Sequence, residues 1–358
     1  MLRPAESVAS VKQYHPPLSG RSGLRLDFNE NTAGCSPRVV ERLRSISAEE
    51  LTRYPEREPV ERVAAGWLGL SAAEVVLTNG VDEAIHLLCE TYLQPGDEAI
   101  VVVPTFGMYE VYASAAGAKV VTVPAGEDFR FPTGETLKRI SARTRLIAIA
   151  NPNNPTGTVA SADDLLTIVE RARAASVLVD EAYFEFYGQS LIGEVSRRKN
   201  LFIARTFSKA YGMAGLRAGV LAGPAEQMEF VRRIASPYNV NGVALACLPA
   251  ALVDGDYVSA YVEAVRRGRA RLQDALGTLG IKYWPSQANF VLAQFGTARA
   301  TFIAAMRQRG ILVRDRNHDP GCAGCVRITV GTDTHMDALI AALREYAREG
   351  TRAAEVPV

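Results

Sequence analysis

The sequence predicts an α/β domain built on a mostly parallel central sheet with helices on both faces, joined to a smaller α+β domain. Two observations predict it. Between about residue 74 and residue 223, short β-branched runs alternate with helical patterns, the rhythm of strand–helix–strand crossovers. After residue 240 long helical stretches take over, with only a few strands between them.

Taken in order, the first thirty residues, including "YHPPLSGRSG", read as an arm that wraps rather than folds alone. The large domain is expected over residues 31–240 and the small one over 241–358. Within the first, "EVVLTNG" is followed by the helical "VDEAIHLLCETYL", "EAIVVVP" by "TFGMYEVYASAAG", and "TRLIAIANP" by "SADDLLTIVERARAA". "KVVTVP", "SVLVDEAY", "NLFIARTFS" and "AGVLAG" supply further strands. The second domain carries the long helix "DYVSAYVEAVRRGRARLQDALGTLG", the strand "ANFVLAQF" and the helix "ARATFIAAMRQRG". Strands "ILVRD" and "CVRITVG" and the helix "TDTHMDALIAALREYAREG" complete it. No internal repeat or low-complexity linker interrupts this order.

At 358 residues and 48 % hydrophobic content the chain can bury a substantial core. Its 40 basic and 39 acidic residues leave a formal charge of +1, so nothing global draws it to nucleic acid or an acidic membrane. Any anion site must be local. The N-terminus has no continuous apolar core of a signal peptide and no run approaches a membrane span, so a soluble, cytoplasmic protein is expected. Five thinly spread cysteines fit a reducing compartment, and the single pair Cys322/Cys325 near His318 reads as two thiols in a loop rather than a metal site.

Four features fall at strand ends, where an α/β sheet places its ligands. The strand "EVVLT" turns through Asn79 and Gly80 into a helix, whose free N–H groups at Val81, Asp82 and Glu83 offer a phosphate seat; ordinary helix capping fits the same residues. "NPNNPTG" (151–157) forms an irregular turn that can present asparagine amides, or is simply a Pro-rich loop. "SVLVDEAY" delivers Asp180 to the end of a buried strand, where a carboxylate needs a cationic partner, either a salt bridge or a ligand N–H⁺. Tyr183 lies three residues on. In "RTFSKAYGMAGLRAG" (205–219), a desolvated Lys209 is a competent nucleophile toward an aldehyde, and Thr206, Ser208 and Arg217 suit a phosphate. Alone, Lys209 also fits a surface lysine. Together the four suggest one ligand with an aldehyde, a phosphate and a protonatable ring nitrogen.

These motifs, in this order and spacing, resemble the fold-type I pyridoxal-phosphate aminotransferases over nearly the whole chain. "LDFNEN", "TRYPE", "TNGVDEAI", "PTFGMYE", "SPYNVN", "SQANFV" and "VRITVGT" are similar to the histidinol-phosphate aminotransferases within that group. The resemblance implies that Lys209 holds the cofactor aldehyde covalently and later shuttles a proton between the substrate Cα and cofactor C4′. It implies that Asp180 keeps the pyridine nitrogen protonated. Asn154 and Tyr183 would bond the ring's phenolic oxygen, Phe106 would stack on the ring, and Thr206, Ser208, Arg217 and the backbone at Val81 and Asp82 would hold the phosphate. Tyr54 would reach the partner subunit's cofactor, implying a homodimer with shared sites.

The implied substrates are histidinol phosphate and glutamate or 2-oxoglutarate, two anions of different shape. Arg327 matches the family arginine for that group, Arg314 a second cation that favours phosphate, and Tyr14 an arm tyrosine that closes over the substrate. A surface ion pair of Arg314 with Asp315 or a nearby acid is the other reading. Val81 departs from the usual small residue, and "RNHDPGCAGC" is an unusual lead into "VRITV" that either alters specificity or braces a loop. Aromatic (phenylalanine) aminotransferases and threonine-phosphate decarboxylases share most of these motifs. No metal is expected.

Overall fold

The computed structural model describes residues 2–9, 11–13, 15 and 19–354. Tyr14 therefore lies outside the described residues. Twelve strands among them form two sheets. In chain order they are β1 (Leu24–Leu26), β2 (Val75–Thr78), β3 (Glu98–Val103), β4 (Lys119–Pro124), β5 (Thr144–Ala150) and β6 (Ser176–Asp180). There follow β7 (Leu201–Thr206), β8 (Gly219–Ala222), β9 (Lys282–Trp284), β10 (Phe290–Gln294), β11 (Ile311–Asp315) and β12 (Cys325–Thr329).

The larger sheet has the order β2-β8-β7-β6-β5-β3-β4. Every neighbouring pair is parallel except those of β8, which runs antiparallel to both β2 and β7. Strand alternation divides its residues between two cores. In β6, Val177 and Val179 join one cluster and Leu178 the other; in β5, Ile147 and Ile149 oppose Leu146 and Ala148. Both faces are therefore covered, which explains why these strands read as unbroken apolar runs. Helices Gly80–Tyr92 and Met108–Ala115 bury Ile85, Leu88 and Tyr109 on one side, and helices Glu58–Leu68 and Ala162–Arg171 bury Leu68, Leu165 and Ile168 on the other. Ser161 starts the last of these by accepting the Asp164 N–H, and Gly69 ends helix Glu58–Leu68 in the left-handed region at φ 72°.

The second sheet has the order β1-β11-β12-β10-β9. Its buried face, including Phe290, Val326 and Ile328, merges with one of the two large-sheet cores. Strand β1 comes from the N-terminal segment and pairs in parallel with β11. Sequence periodicity did not signal β1 or β9, each only three residues long. Ahead of β1, the Ser7 hydroxyl donates to the Ala115 carbonyl at 3.0 Å, tying the chain start to helix Met108–Ala115.

No single helix among the described residues is long and apolar enough to cross a membrane.

Candidate active site

The carboxyl ends of β2, β3, β5, β6 and β7 converge on one cavity of about 500 Å³, whose opposite wall is formed by β11 and β12 of the second sheet and residues 28–30. It is lined by Val81, Asp82, Phe106, Asn154, Asp180, Tyr183, Thr206, Ser208, Lys209, Arg217, Arg314 and Arg327. Of the residues expected at the site from sequence, Glu83 and Tyr54 do not line this cavity and Tyr14 is undescribed; the others are gathered here.

Strand β6 delivers Asp180 to the floor. Its Oδ2 accepts from the Tyr109 hydroxyl at 2.5 Å and its Oδ1 from the Ala182 N–H at 3.0 Å. Among the described residues no cation pairs with it. Burial, only partly opposed by these two donors, pushes the carboxyl up to about 6. The salt-bridge reading of this strand therefore fails, and the buried carboxylate fits a ligand that brings its own N–H⁺. The cation pair that does exist lies just beyond. Arg205 bonds the neighbouring Glu181 at 2.9 Å, with its guanidinium 3.7 Å from the Phe184 ring centroid.

Lys209 follows β7 on a turn and is half-buried. Its Nζ donates to the Phe28 carbonyl at 3.1 Å and meets no carboxylate at ion-pair distance among the described residues. Burial first, then the positive charge of Arg327, lowers its pKa from 10.5 to about 8. An ordinary solvated surface lysine is thereby excluded.

The residues expected to hold a phosphate form a close-fitting cradle. Gly80 sits at φ +74°, and a Cβ there would lie 2.5 Å from Nη2 of Arg217. Only glycine lets the helix N-terminus and this guanidinium approach so closely. Beside them the Thr206 hydroxyl donates to Ser208 Oγ at 2.9 Å, and the Ser208 N–H donates to Thr206 Oγ1 at 3.1 Å. The Asp82 side chain forms an ion pair with Arg217 at 2.9 Å, a contact the sequence reading did not include. This donor set, with a buried carboxylate and a lysine of lowered pKa, fits pyridoxal phosphate.

The "NPNNPTG" turn separates its asparagines by task. Asn151 bonds both backbone groups of Ala160, and Asn153 bridges Pro104, Thr105 and Thr156, so both brace the loop. Asn154 lines the cavity, where its Oδ1 accepts from Arg327 Nη1. Arg327 also donates through Nη2 to the Asp27 carbonyl at 2.8 Å. Tyr183 Oη accepts from Asn29 Nδ2 at 2.9 Å, which leaves its own O–H free to donate inward.

Arg314 lies opposite Arg327 in the β11–β12 ladder. Its guanidinium carbon sits 4.8 Å from the Phe28 ring centroid. Asp315 pairs with Arg299 instead, and no ion pair of Arg314 with any acid is found among the described residues, which removes the reading of Arg314 as part of a surface pair. Tyr54 is 78 % exposed and stacks on the half-exposed Tyr238 at 4.3 Å, away from this chain's cavity.

Sequence reasoning missed Tyr109, Asn29, Arg316 and Asp319 at the cavity. Tyr109 and Asn29 stand inside quoted motifs, and Arg316 and Asp319 inside the quoted "RNHDPGCAGC" before β12, so the segments were flagged but not these residues. Cys322 and Cys325 are buried free thiols packed with Trp284, Leu292 and Phe129, while His318 is exposed. No cluster able to hold a metal occurs among the described residues. The thiols anchor the segment that carries Arg316 and Asp319 to the cavity.

The family model for aminotransferase class I and II matches residues 21–343. The histidinol-phosphate aminotransferase of Symbiobacterium thermophilum is 39 % identical over 335 residues, covering 91 % of this chain and 91 % of that protein. That of Roseiflexus castenholzii is 37 % identical over 373 residues, covering 97 % and 98 %. Among solved structures, histidinol-phosphate aminotransferase from Sinorhizobium meliloti in complex with pyridoxal-5'-phosphate is similar with a TM-score of 0.87 at 25 % identity, over 98 % of both chains.

Proposed function

The chain belongs to the class I and II aminotransferases, and from that premise we propose that it transfers the amino group of L-histidinol phosphate to 2-oxoglutarate, giving imidazole acetol phosphate and glutamate in histidine biosynthesis. The observation that carries this reading is one cavity joining a cation-free buried Asp180 and a nucleophilic Lys209 to the cross-strand arginines 314 and 327.

Bound pyridoxal phosphate supplies an aldehyde carbon for the migrating amino group and a ring that accepts electron density from the substrate Cα. Lys209 would hold that aldehyde through Nζ, and the same amine would carry the proton between the substrate Cα and C4′. Asp180 would keep a proton on the ring nitrogen. Tyr183, with its O–H free, and Asn154, with Nδ2 free of the Arg327 contact, would donate to the phenolic oxygen, while Phe106 would cover the ring. Thr206, Ser208, Arg217 and the N–H groups of Val81 and Asp82 would bind the phosphate. Arg327 anchors the anionic end of either substrate, and Arg314 adds a charge that a phosphate uses more fully than a carboxylate.

The decisive experiment presents the purified holoenzyme separately with histidinol phosphate, phenylalanine and threonine phosphate, following cofactor absorbance and carbon dioxide. Conversion to the amine form by histidinol phosphate is expected. Carbon dioxide from threonine phosphate, or conversion by phenylalanine alone, would overturn the assignment. Arg314→Ala is expected to weaken histidinol phosphate by roughly tenfold more than glutamate, the loss of one charge-assisted contact. Steady-state constants for both substrates check it, and an equal loss for both would remove the phosphate-specific role.

We place the enzyme in the cytoplasm as a homodimer whose Tyr54 completes the partner's site. Five free cysteines and the exposed Tyr54–Tyr238 pair support this. Lys209→Ala and Tyr54→Ala should each be impaired, yet unfolding and refolding an equal mixture should restore about a quarter of wild-type sites, because half the dimers are hybrids with one intact site. No recovery, with hybrids shown by mass, would mean that sites are not shared.

A further inference from the structure

Three guanidinium groups crowd one wall of the cavity. Arg314 and Arg327 are directly opposed across β11 and β12, and Arg316, just past the end of β11, lines the same cavity. Like charges so placed repel, so the arrangement is favourable only with anions between them. Their present partners differ. Arg327 bonds Asn154 and the Asp27 carbonyl, Arg314 rests against Phe28, and Arg316 pairs with Asp319 at 2.5 Å.

The Arg316–Asp319 pair faces the site yet is well shielded, with side chains 13 % and 26 % exposed. Nε of Arg316 and Nη1 of Arg314 are buried donors without a hydrogen-bond acceptor among the described residues. Three arginines and one aspartate leave this wall with a formal charge of +2. The adjoining Arg21, Arg25, Asp27 and Glu30 form a group that is neutral in itself. A phosphomonoester carries a charge of about −1.5 to −2 near neutral pH, close to that excess, whereas one carboxylate leaves half of it unmatched. Burial also pushes the Asp319 carboxyl up against the pull of Arg316, Arg327 and Arg314, the mark of a carboxylate held at a cost.

We propose that Arg316 is a specificity-determining residue for the phosphate-bearing substrate. Asp319 holds its guanidinium at the cavity wall and yields it to the arriving phosphate. The inference rests on the proposed function, since it needs one site that accepts a phosphate ester and a dicarboxylate in turn.

Titration calorimetry of the holoenzyme with two amine-free ligands tests it: 3-(imidazol-4-yl)propyl phosphate and glutarate. Arg316→Gln should weaken the phosphate ester about tenfold more than glutarate, the scale of one charge-assisted hydrogen bond. Arg316→Lys, which keeps the charge but loses the fork, should fall between. Asp319→Asn should tighten the phosphate ester by releasing Arg316. If Arg316→Gln weakens both ligands alike, or Asp319→Asn weakens the ester, the pair only braces the loop and the inference is wrong. Retained cofactor absorbance verifies that each variant is folded. Wild-type turnover of histidinol phosphate, measured alongside, separates the two levels: its absence removes both readings, and its presence without a selective loss removes only that of Arg316.

Discussion

Lys209→Ala should abolish turnover, lowering the amino-transfer rate by roughly 10⁴-fold or more, because in the proposed function one side chain supplies both the nucleophile and the proton carrier. Borohydride reduction followed by peptide mass analysis should place the cofactor on Lys209 in the wild type and nowhere in the variant. The pH dependence follows from the cavity. Burial and the charges of Arg327 and Arg217 disfavour the ammonium form, while Glu30 and Asp82 oppose them, leaving a pKa of about 8. A lowered lysine pKa means that the neutral amine appears as pH rises through about 8 rather than 10.5. Uptake of pyridoxal phosphate by the apoprotein should therefore accelerate up to about pH 8 and then level off. A rate still climbing tenfold per pH unit above pH 9, or a variant with normal turnover, would refute the role.

Much of the expected cofactor side of this cavity was legible in the sequence because Asp180, Lys209 and Asn154 stand at or just past the end of a buried apolar strand. Asp180 ends "SVLVD", Lys209 follows "LFIARTFS" and Asn154 follows "RLIAIANP". Strand ends are readable from periodicity, and parallel topology brings them to one edge. The second-sheet wall was legible only in part. Arg314 and Arg327 sit on strands that periodicity finds, but Arg316 and Asp319 belong to a segment whose path is set by buried Cys322 and Cys325 packing on Trp284, a tertiary contact with no local signature. Likewise β1 is ordered by pairing with β11, nearly 290 residues away, rather than by any propensity of "LRL". Among the three asparagines in "NPNNPTG", the resemblance singles out Asn154, whereas residue type alone does not say that Asn151 and Asn153 brace the loop.

Asp180→Asn is expected to separate catalysis from stability. The amide keeps the size of the carboxyl but cannot carry the charge that holds a proton on the ring nitrogen, so kcat should drop by about 10³-fold, on the scale of losing a preorganised electrostatic contact. In the apoprotein the same change should stabilise. The native carboxyl titrates at about 6 against 3.8 for the free side chain, so the folded state binds the proton more tightly than the unfolded one. Its contribution to stability is therefore fully present below pH 3.8 and is lost as pH rises through 6, a difference on the order of 2–3 kcal/mol by linkage. The Asn variant has no charge to bury, and its apoprotein should melt higher than wild type at pH 7–8, with the gap closing toward pH 4. Cofactor loading should reverse the order, because an N–H⁺ opposite Asp180 gives the buried carboxylate its missing partner. Thermal melts of both proteins with and without cofactor across that pH range test the linkage. An apo variant that melts below wild type at pH 8 would mean that the hydrogen bonds from Tyr109 and Ala182, rather than the unmet charge, dominate the energetics of this residue. Tyr109→Phe distinguishes the charge from its supports: removing that donor should raise the Asp180 pKa and shift the acid limb of the activity profile upward, leaving the plateau within about tenfold.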